Sequence, residues 1–448
     1  MRYSLRISLI EVCVYLTMFG YWYNLPVIST TIFGGYNEFR IYDFTFLALT
    51  CLLIKHRSLK MIFFTIKSDA SLKYIYWFAV WASIMTLPTL VFVALRGNFV
   101  YAGMTIMFLY HLWGYILLAA VILTYYDSVT VVPLIKWFLV LSTLHLLLYY
   151  LQVSGTIGHL WAQQYIDAYG ENAFSGTLGP NRITPGMMAF LGLIISLFIL
   201  INRFNSKLLR IIAWVNIFLA IPAIFMIGSR TTFITVVLFV LFYLLLYRIR
   251  LIPVVVILIP LFIIFYNQGL NQKQKDRITT NIEWNKRKLL RGEKLDDLTI
   301  IEGYENIGSN RVQIIEKYVP FLLDHYYILP VGFGFNNRII ASSTGAASAH
   351  NVYLSLLNEV GFIGLWLYIS WLFSYIVTER KRNKLIPHYR GKGLITSLVL
   401  AMIISLMAGE HLYVYRPCFA ILGTFLFVIT VMGLFELPLR TDEDSELK

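Results

Sequence analysis

Five arginines stand at polar breaks between apolar runs: Arg40, Arg96, Arg182, Arg230 and Arg416. No lysine joins them. Arginine offers a planar fork of donors that grips phosphate or carboxylate through two hydrogen bonds. Several such forks at one membrane face suit an anionic headgroup, and a lipid-linked diphosphate has that chemistry. For Arg40 and Arg96 the favoured reading is interfacial snorkelling, with the stem in lipid and the guanidinium in water. Arg230 differs, because it lies in the run GSRTTF with almost no loop on either side. A charge held so tightly between two spans is either paired or functional.

The stretch 309–364 carries further chemistry. Ser309 can cap a helix running through Arg311 to about His325. Gly332-Phe333-Gly334 forces a tight turn, and a loop of small residues follows. His350-Asn351 then opens an apolar run. Free N–H donors and positive partial charge at a helix start suit an anion. An imidazole there can act as a base near neutral pH, or simply serve as a hydrogen-bonded cap. Glu359 lies nine residues later inside the apolar run, where a charge must be functional or structurally partnered. His111 and His145 fall inside other apolar runs and read as packing residues. No Asp-x-Asp or His/Glu cluster with metal-ligand spacing lies on the arginine-bearing side. The acidic run 442–444 reads as solvated tail.

These residues are positioned by membrane helices. The chain has 448 residues, 58% of them apolar and 14% charged. Its mean hydropathy is +0.69. A water-soluble domain cannot hide that much apolar surface. Apolar runs fall at 5–23, 41–55, 74–95, 101–125, 131–152, 184–202, 209–228, 231–247, 251–267, 352–377, 393–410 and 416–436. The expected fold is an all-α polytopic membrane protein of about 12 transmembrane helices, with a large extracytoplasmic loop between helices 9 and 10. Three regions follow: a bundle of about nine helices at 1–267, the loop at 268–349 and a bundle of about three helices at 350–448.

The net charge of +13 reads as membrane orientation rather than nucleic-acid binding. Lysines and arginines concentrate at one set of connections, above all at 378–392, which holds six basic residues. That pattern puts both termini in the cytoplasm. The N-terminal run has no small-residue cleavage site and reads as a retained span. Cys13, Cys51 and Cys418 sit in or beside apolar runs and suggest no disulfide framework.

The chain resembles the O-antigen ligase and polymerase superfamily of bacterial membrane glycosyltransferases. Ser309 and Arg311 match its Ser-x-Arg element. Pro330, Gly332 and Gly334 match its Pro-x-Gly-x-Gly element, and His350-Asn351 its His-Asn pair. Glu359, Gly361, Gly364 and Leu365 complete its Glu-x-Gly run. Ile315 stands where the family often has tryptophan. GTLGPNRITPGMMAF at 176–190 resembles a segment that enters a span, and GSRTTF at 228–233 resembles an outer Ser-Arg turn.

The resemblance implies a metal-independent, inverting enzyme without cofactors. Such enzymes move a glycan from undecaprenyl diphosphate to an acceptor glycan hydroxyl on the extracytoplasmic side of the bacterial inner membrane. It implies that Arg230 and Arg311 hold the diphosphate and that His350 orients or deprotonates the acceptor. Asn351, Asn181, Arg182, Arg416 and Glu359 are the expected substrate-binding residues. Trp161, Tyr165, Trp284, Tyr326 and Tyr327 are aromatic faces that can stack on sugars. A chain-length regulator is an implied partner, with membrane lipid. Polymerase, ligase and protein-directed oligosaccharyltransferase share these motifs. A flippase for the same lipid-linked sugars is the competing class, although the chain shows no pair of related halves.

Overall fold

The computed structural model describes residues 2–32, 35–97, 99–127, 130–160, 174–179, 183–202, 204, 206–248, 311–337, 350–385, 391–413 and 417–434. The chain begins with α1 (Arg2–Trp22), a hairpin of β1 (Pro26–Ile32) and β2 (Gly35–Arg40), and α2 (Ile41–Lys55). The short α3 (Leu59–Ser68) leads to α4 (Ala70–Leu95), α5 (Phe99–Tyr125) and α6 (Val132–Val153). Next come α7 (Ile183–Ile201), α8 (Lys207–Ile227) and α9 (Arg230–Tyr247). After the undescribed stretch follow α10 (Arg311–Asp324), α11 (Val352–Leu385), α12 (Leu394–Ser405) and α13 (Pro417–Leu434).

Seven helices among the described residues are long and apolar enough to cross a membrane, so the protein is a mostly helical, polytopic membrane protein. Eleven of the twelve sequence-derived runs coincide with helices; the run 251–267 lies outside the described residues. The all-α expectation needs one correction. β1 and β2 pair antiparallel, with Ser29 opposite Glu38 and Thr30 opposite Asn37. The signal was the β-branched run Val27–Ile32, too short and polar to cross lipid and well suited to a pleated strand.

One continuous core runs from Ile10 to Met432 and joins the N- and C-terminal helices. α4 packs along α11, α7 along α8, and α9 along α12. Lipid is as apolar as leucine, so close approach and polar contacts hold such helices together. α8 illustrates both. Its Ala213, Ala220 and Ala223 are fully buried, whereas Leu208, Trp214 and Phe218 are exposed. Its Asn216 amide donates to Ser142 Oγ (3.2 Å) on α6 and to the Gly192 carbonyl (3.3 Å) on α7.

The end of α11 distant from His350 grips the start of α12. The buried Glu379 carboxylate accepts N–H groups of Gly393 (3.0 Å), Ile395 (3.3 Å) and Thr396 (2.7 Å). A helix start leaves such donors unfilled, and its dipole favours an anion. Glu379→Ala strands those donors in the interior, at a cost of about 3 kcal/mol. The variant is expected to melt measurably lower than wild type in detergent, and Glu379→Gln to recover part of the loss.

Candidate functional site

α11 is built from its first residues. Asn351 Oδ1 accepts the N–H groups of Tyr353 (2.9 Å) and Leu354 (3.3 Å), so Asn351 caps the helix. His350 precedes it, exposed, with φ +48°. That left-handed conformation is costly for a residue with a side chain. Asn351, Ser355 and Glu359 recur every four residues and so share one face of α11.

α11 then breaks. Gly361 has φ 64° and ψ −169°. A break in a membrane helix frees backbone groups that lipid cannot satisfy. The loop after α10 supplies the partners. Phe333 N–H donates to the Asn358 carbonyl (2.8 Å) and Gly334 N–H to that of Glu359 (3.0 Å). In return, Phe362 N–H donates to the Leu329 carbonyl (2.9 Å) and Ile363 N–H to that of Pro330 (3.2 Å). Trp81 Nε1 takes the Val360 carbonyl (2.8 Å). The two backbones approach so closely that a Cβ on Gly332 would lie 2.6 Å from Gly361 N, and one on Gly361 would lie 2.5 Å from the Pro330 carbonyl oxygen. The two glycine motifs are therefore halves of one lock.

The loop continues into the bundle. Phe335 is fully buried; its N–H donates to the Met85 carbonyl (2.8 Å), and its carbonyl accepts the Thr89 hydroxyl (2.8 Å). Asn336 donates its N–H to Glu359 Oε2 (2.8 Å) and its amide to Thr105 Oγ1 (2.9 Å). The Tyr413 hydroxyl also donates to Glu359 Oε2. Of the two readings of Glu359, these contacts fit the structural one.

Arg230 opens α9. Gly228 ends α8 in the left-handed region, and Ser229 Oγ caps α9 by accepting Thr232 N–H (3.3 Å). Arg230 is thus a half-buried guanidinium at a helix N-terminus. The next residue, Thr231, donates its hydroxyl to the Ala408 carbonyl (3.0 Å). Ala408 ends the single 3-10 turn that follows α12, ahead of buried Glu410 and His411. Glu410 Oε1 accepts the Ser355 hydroxyl (2.6 Å). Ser405 Oγ donates to the Met402 carbonyl (2.8 Å) and lies 3.0 Å from His411 Nε2. The segment 405–413 therefore ties the Arg230 turn to the helix that starts after His350.

Other expected site residues are placed through their neighbours. Asn181, Arg182 and Arg416 lie outside the described residues, and so does Ser309. The α7 start, directly after Arg182, abuts the Arg230 turn: a Cβ on Gly186 would meet Ser229 Cβ at 3.2 Å. Cys418, two residues after Arg416, lies with its sulfur 3.8 Å from the Thr184 carbonyl. The chain positions next to Arg182, Arg230 and Arg416 thus converge. Arg311 opens α10, which packs on the first turns of α11 through Tyr318, Leu322, Leu354 and Leu357. Arg40 and Arg96 take other roles. Arg40 pairs with Glu38 (3.0 Å), and the Arg96 guanidinium sits 4.4 Å over the Phe92 ring.

Two histidines read as packing residues are polar anchors instead. His111 Nε2 lies 2.8 Å from Asp43 Oδ1. His145 Nδ1 lies 2.9 Å from Thr177 Oγ1. Thr177 belongs to the buried, non-helical segment 174–179 that leads towards Asn181 and Arg182. Gln152 reads the Gly176 backbone in both directions, with Gly176 N–H donating to Oε1 (2.8 Å) and Nε2 to the carbonyl (3.3 Å). Asn24 N–H holds the Thr177 carbonyl (3.2 Å). Among the described residues, no group of three or more His, Cys, Asp or Glu is placed to hold a metal.

This arrangement is a polytopic helical bundle with arginines at helix starts around one end. A family model described as O-antigen ligase matches residues 215–369, which supports the O-antigen ligase/polymerase superfamily resemblance. The match runs from within α8 to within α11 and contains Arg230, Arg311, His350, Asn351 and Glu359. The family points to glycan transfer by a glycosyltransferase-like enzyme. No curated protein matches the chain.

The lock predicts a sharp sensitivity. Gly361→Ala places a side chain against backbone at φ 64°. A cost of at least about 2 kcal/mol is expected from strain alone. The variant should melt lower in detergent or fail to accumulate, whereas Ala at Gly158, which has open space around it, should behave as wild type.

Proposed function

We propose that the protein is a polysaccharide polymerase that transfers a repeat-unit glycan from undecaprenyl diphosphate to an acceptor sugar hydroxyl. The observation that carries this reading is the convergence of Thr184, Ser229 and Cys418, which neighbour Arg182, Arg230 and Arg416 in sequence, on the end of the bundle where the His350-Asn351 helix begins. Helix starts and guanidinium groups together favour an anion with several oxygens.

In this reading Arg230 and Arg311 hold the diphosphate, and Arg182 and Arg416 extend that grip. Asn351 fixes the turn that presents His350. His350 accepts the proton of the acceptor hydroxyl as its oxygen attacks the anomeric carbon. The bond from that carbon to the diphosphate breaks, and the arginines stabilise the charge left on the leaving group. One displacement inverts the anomeric centre. The reaction needs no cofactor and no metal here. The matching topology has twelve spans, both termini in the cytoplasm and the 268–349 loop on the outer side of a bacterial inner membrane. A chain-length regulator is the expected partner.

The description of the matching family as O-antigen ligase favours a second reading, transfer of finished polymer to lipid A–core. Complementation of a deletion strain separates the two. Loss of long polymer while single repeat units still reach the surface identifies a polymerase. Long polymer retained on undecaprenyl diphosphate identifies a ligase. In membranes supplied with lipid-linked glycan, His350→Ala should slow transfer by about 10²–10⁴-fold. Arg230→Ala should slow it by about 10²–10³-fold. Wild-type glycans from both variants at normal protein levels would sink the assignment and favour a flippase.

A further inference from the structure

We propose that α3 and its flanking turns form a binding surface for acidic phospholipid headgroups, at the membrane face opposite the candidate site. α3 has ten residues and so is about 15 Å long, half of what a crossing needs. It joins α2 to α4, and the candidate site touches α4 at Met85 and Thr89. Met85 lies fifteen residues past Ala70, or about 22 Å along the helix.

The two faces of α3 differ. Ile62 and Ile66, one turn apart, are buried at 2% and 5% exposure. Thr65 Oγ1 accepts the Thr124 hydroxyl (2.9 Å), which pins α3 to the end of α5. On the other side Met61, Phe63 and Phe64 are exposed, Phe64 by 73%. Five cations surround that apolar patch: Lys55, Arg57, Lys60, Lys67 and Lys73, all exposed. None of them forms an ion pair among the described residues. The nearby acid, Asp69, is engaged within the fold. Its Oδ1 accepts Leu72 N–H (2.9 Å) to cap α4, and the Ser71 hydroxyl (2.5 Å). Arg57 sits at φ 53°, a position where glycine would be less strained.

An amphipathic helix lying in the plane of the membrane, with phenylalanines on its open side and cations around it, binds through two terms. The rings enter the acyl boundary, and the cations meet anionic headgroups. A zwitterionic lipid satisfies only the first term. Charge complementarity therefore selects acidic phospholipid.

The test uses the full chain purified in detergent. Phosphatidylglycerol or phosphatidylcholine is titrated in, and bound lipid is counted by native mass spectrometry. Wild type is expected to prefer phosphatidylglycerol. With roughly tenfold in affinity expected from removing one to two surface cations, the double variant Lys60→Glu, Lys67→Glu should lose tenfold or more for phosphatidylglycerol and nothing for phosphatidylcholine. Salt supplies a test that needs no variant: about 0.5 M NaCl should weaken phosphatidylglycerol binding alone. Equal binding of the two lipids by wild type, or salt-insensitive preference, overturns the proposal. Lipid retention does not require glycan transfer, so either idea can fail without the other.

Discussion

The break in α11 at Gly361 is the constraint from which the His350 end of the structure follows. A helix interrupted in a membrane must find new partners for its backbone, because lipid offers none. Here the partners come from residues 329–334, which reach the break only by sinking a loop between α4, α5 and α11. That descent buries Phe335 and brings Asn336 to Glu359. The break also sets the first turns of α11, and hence His350, against α10 and its leading Arg311. Pro330, Gly332 and Gly334 are thus coupled to Glu359 and Gly361 by contact, which is why two motifs nearly thirty residues apart in sequence behave as one element.

Around that lock several helix starts converge. The starts of α7, α9 and α13 lie together, and each follows or contains an arginine. Helix dipoles point positive ends at the same place. Buried Glu359 and Glu410 stand at this end as well, and each is hydrogen-bonded to a hydroxyl of a different element. They tie α11 to the segment 405–413, so these acidic side chains fix geometry.

The sequence shows the helices with good accuracy because each apolar run obeys one rule, and lipid enforces it. The apolar runs 41–55 and 352–377 fall on the helices α2 and α11 for that reason. The tight turn before Arg230 was legible because the two apolar runs leave almost no loop between them. Other parts were hidden by their physics. His145, Gln152 and Thr177 form a clamp between segments whose pairing no periodicity encodes. Glu410-His411 interrupts an apolar stretch, and that was a signal, but its partner Ser355 could be found only in three dimensions. The hairpin β1–β2 escaped because its strands are short and their apolar residues show no period-2 alternation.

One device appears at both ends of the bundle with opposite results. At the start of α12 the protein fills the helix terminus with its own anion, the Glu379 carboxylate, and the terminus is closed. At the start of α9 a neutral cap, Ser229, takes a single N–H, and the next residue is a cation. At the start of α11 the cap is the neutral Asn351, preceded by an exposed imidazole. A terminus closed by glutamate is structural, because its anion cannot leave. A terminus with a neutral cap keeps the positive partial charge of its remaining N–H groups, and at α9 and α11 a basic side chain stands beside it. This contrast sets the Glu379 terminus apart from the two termini that the proposed mechanism uses.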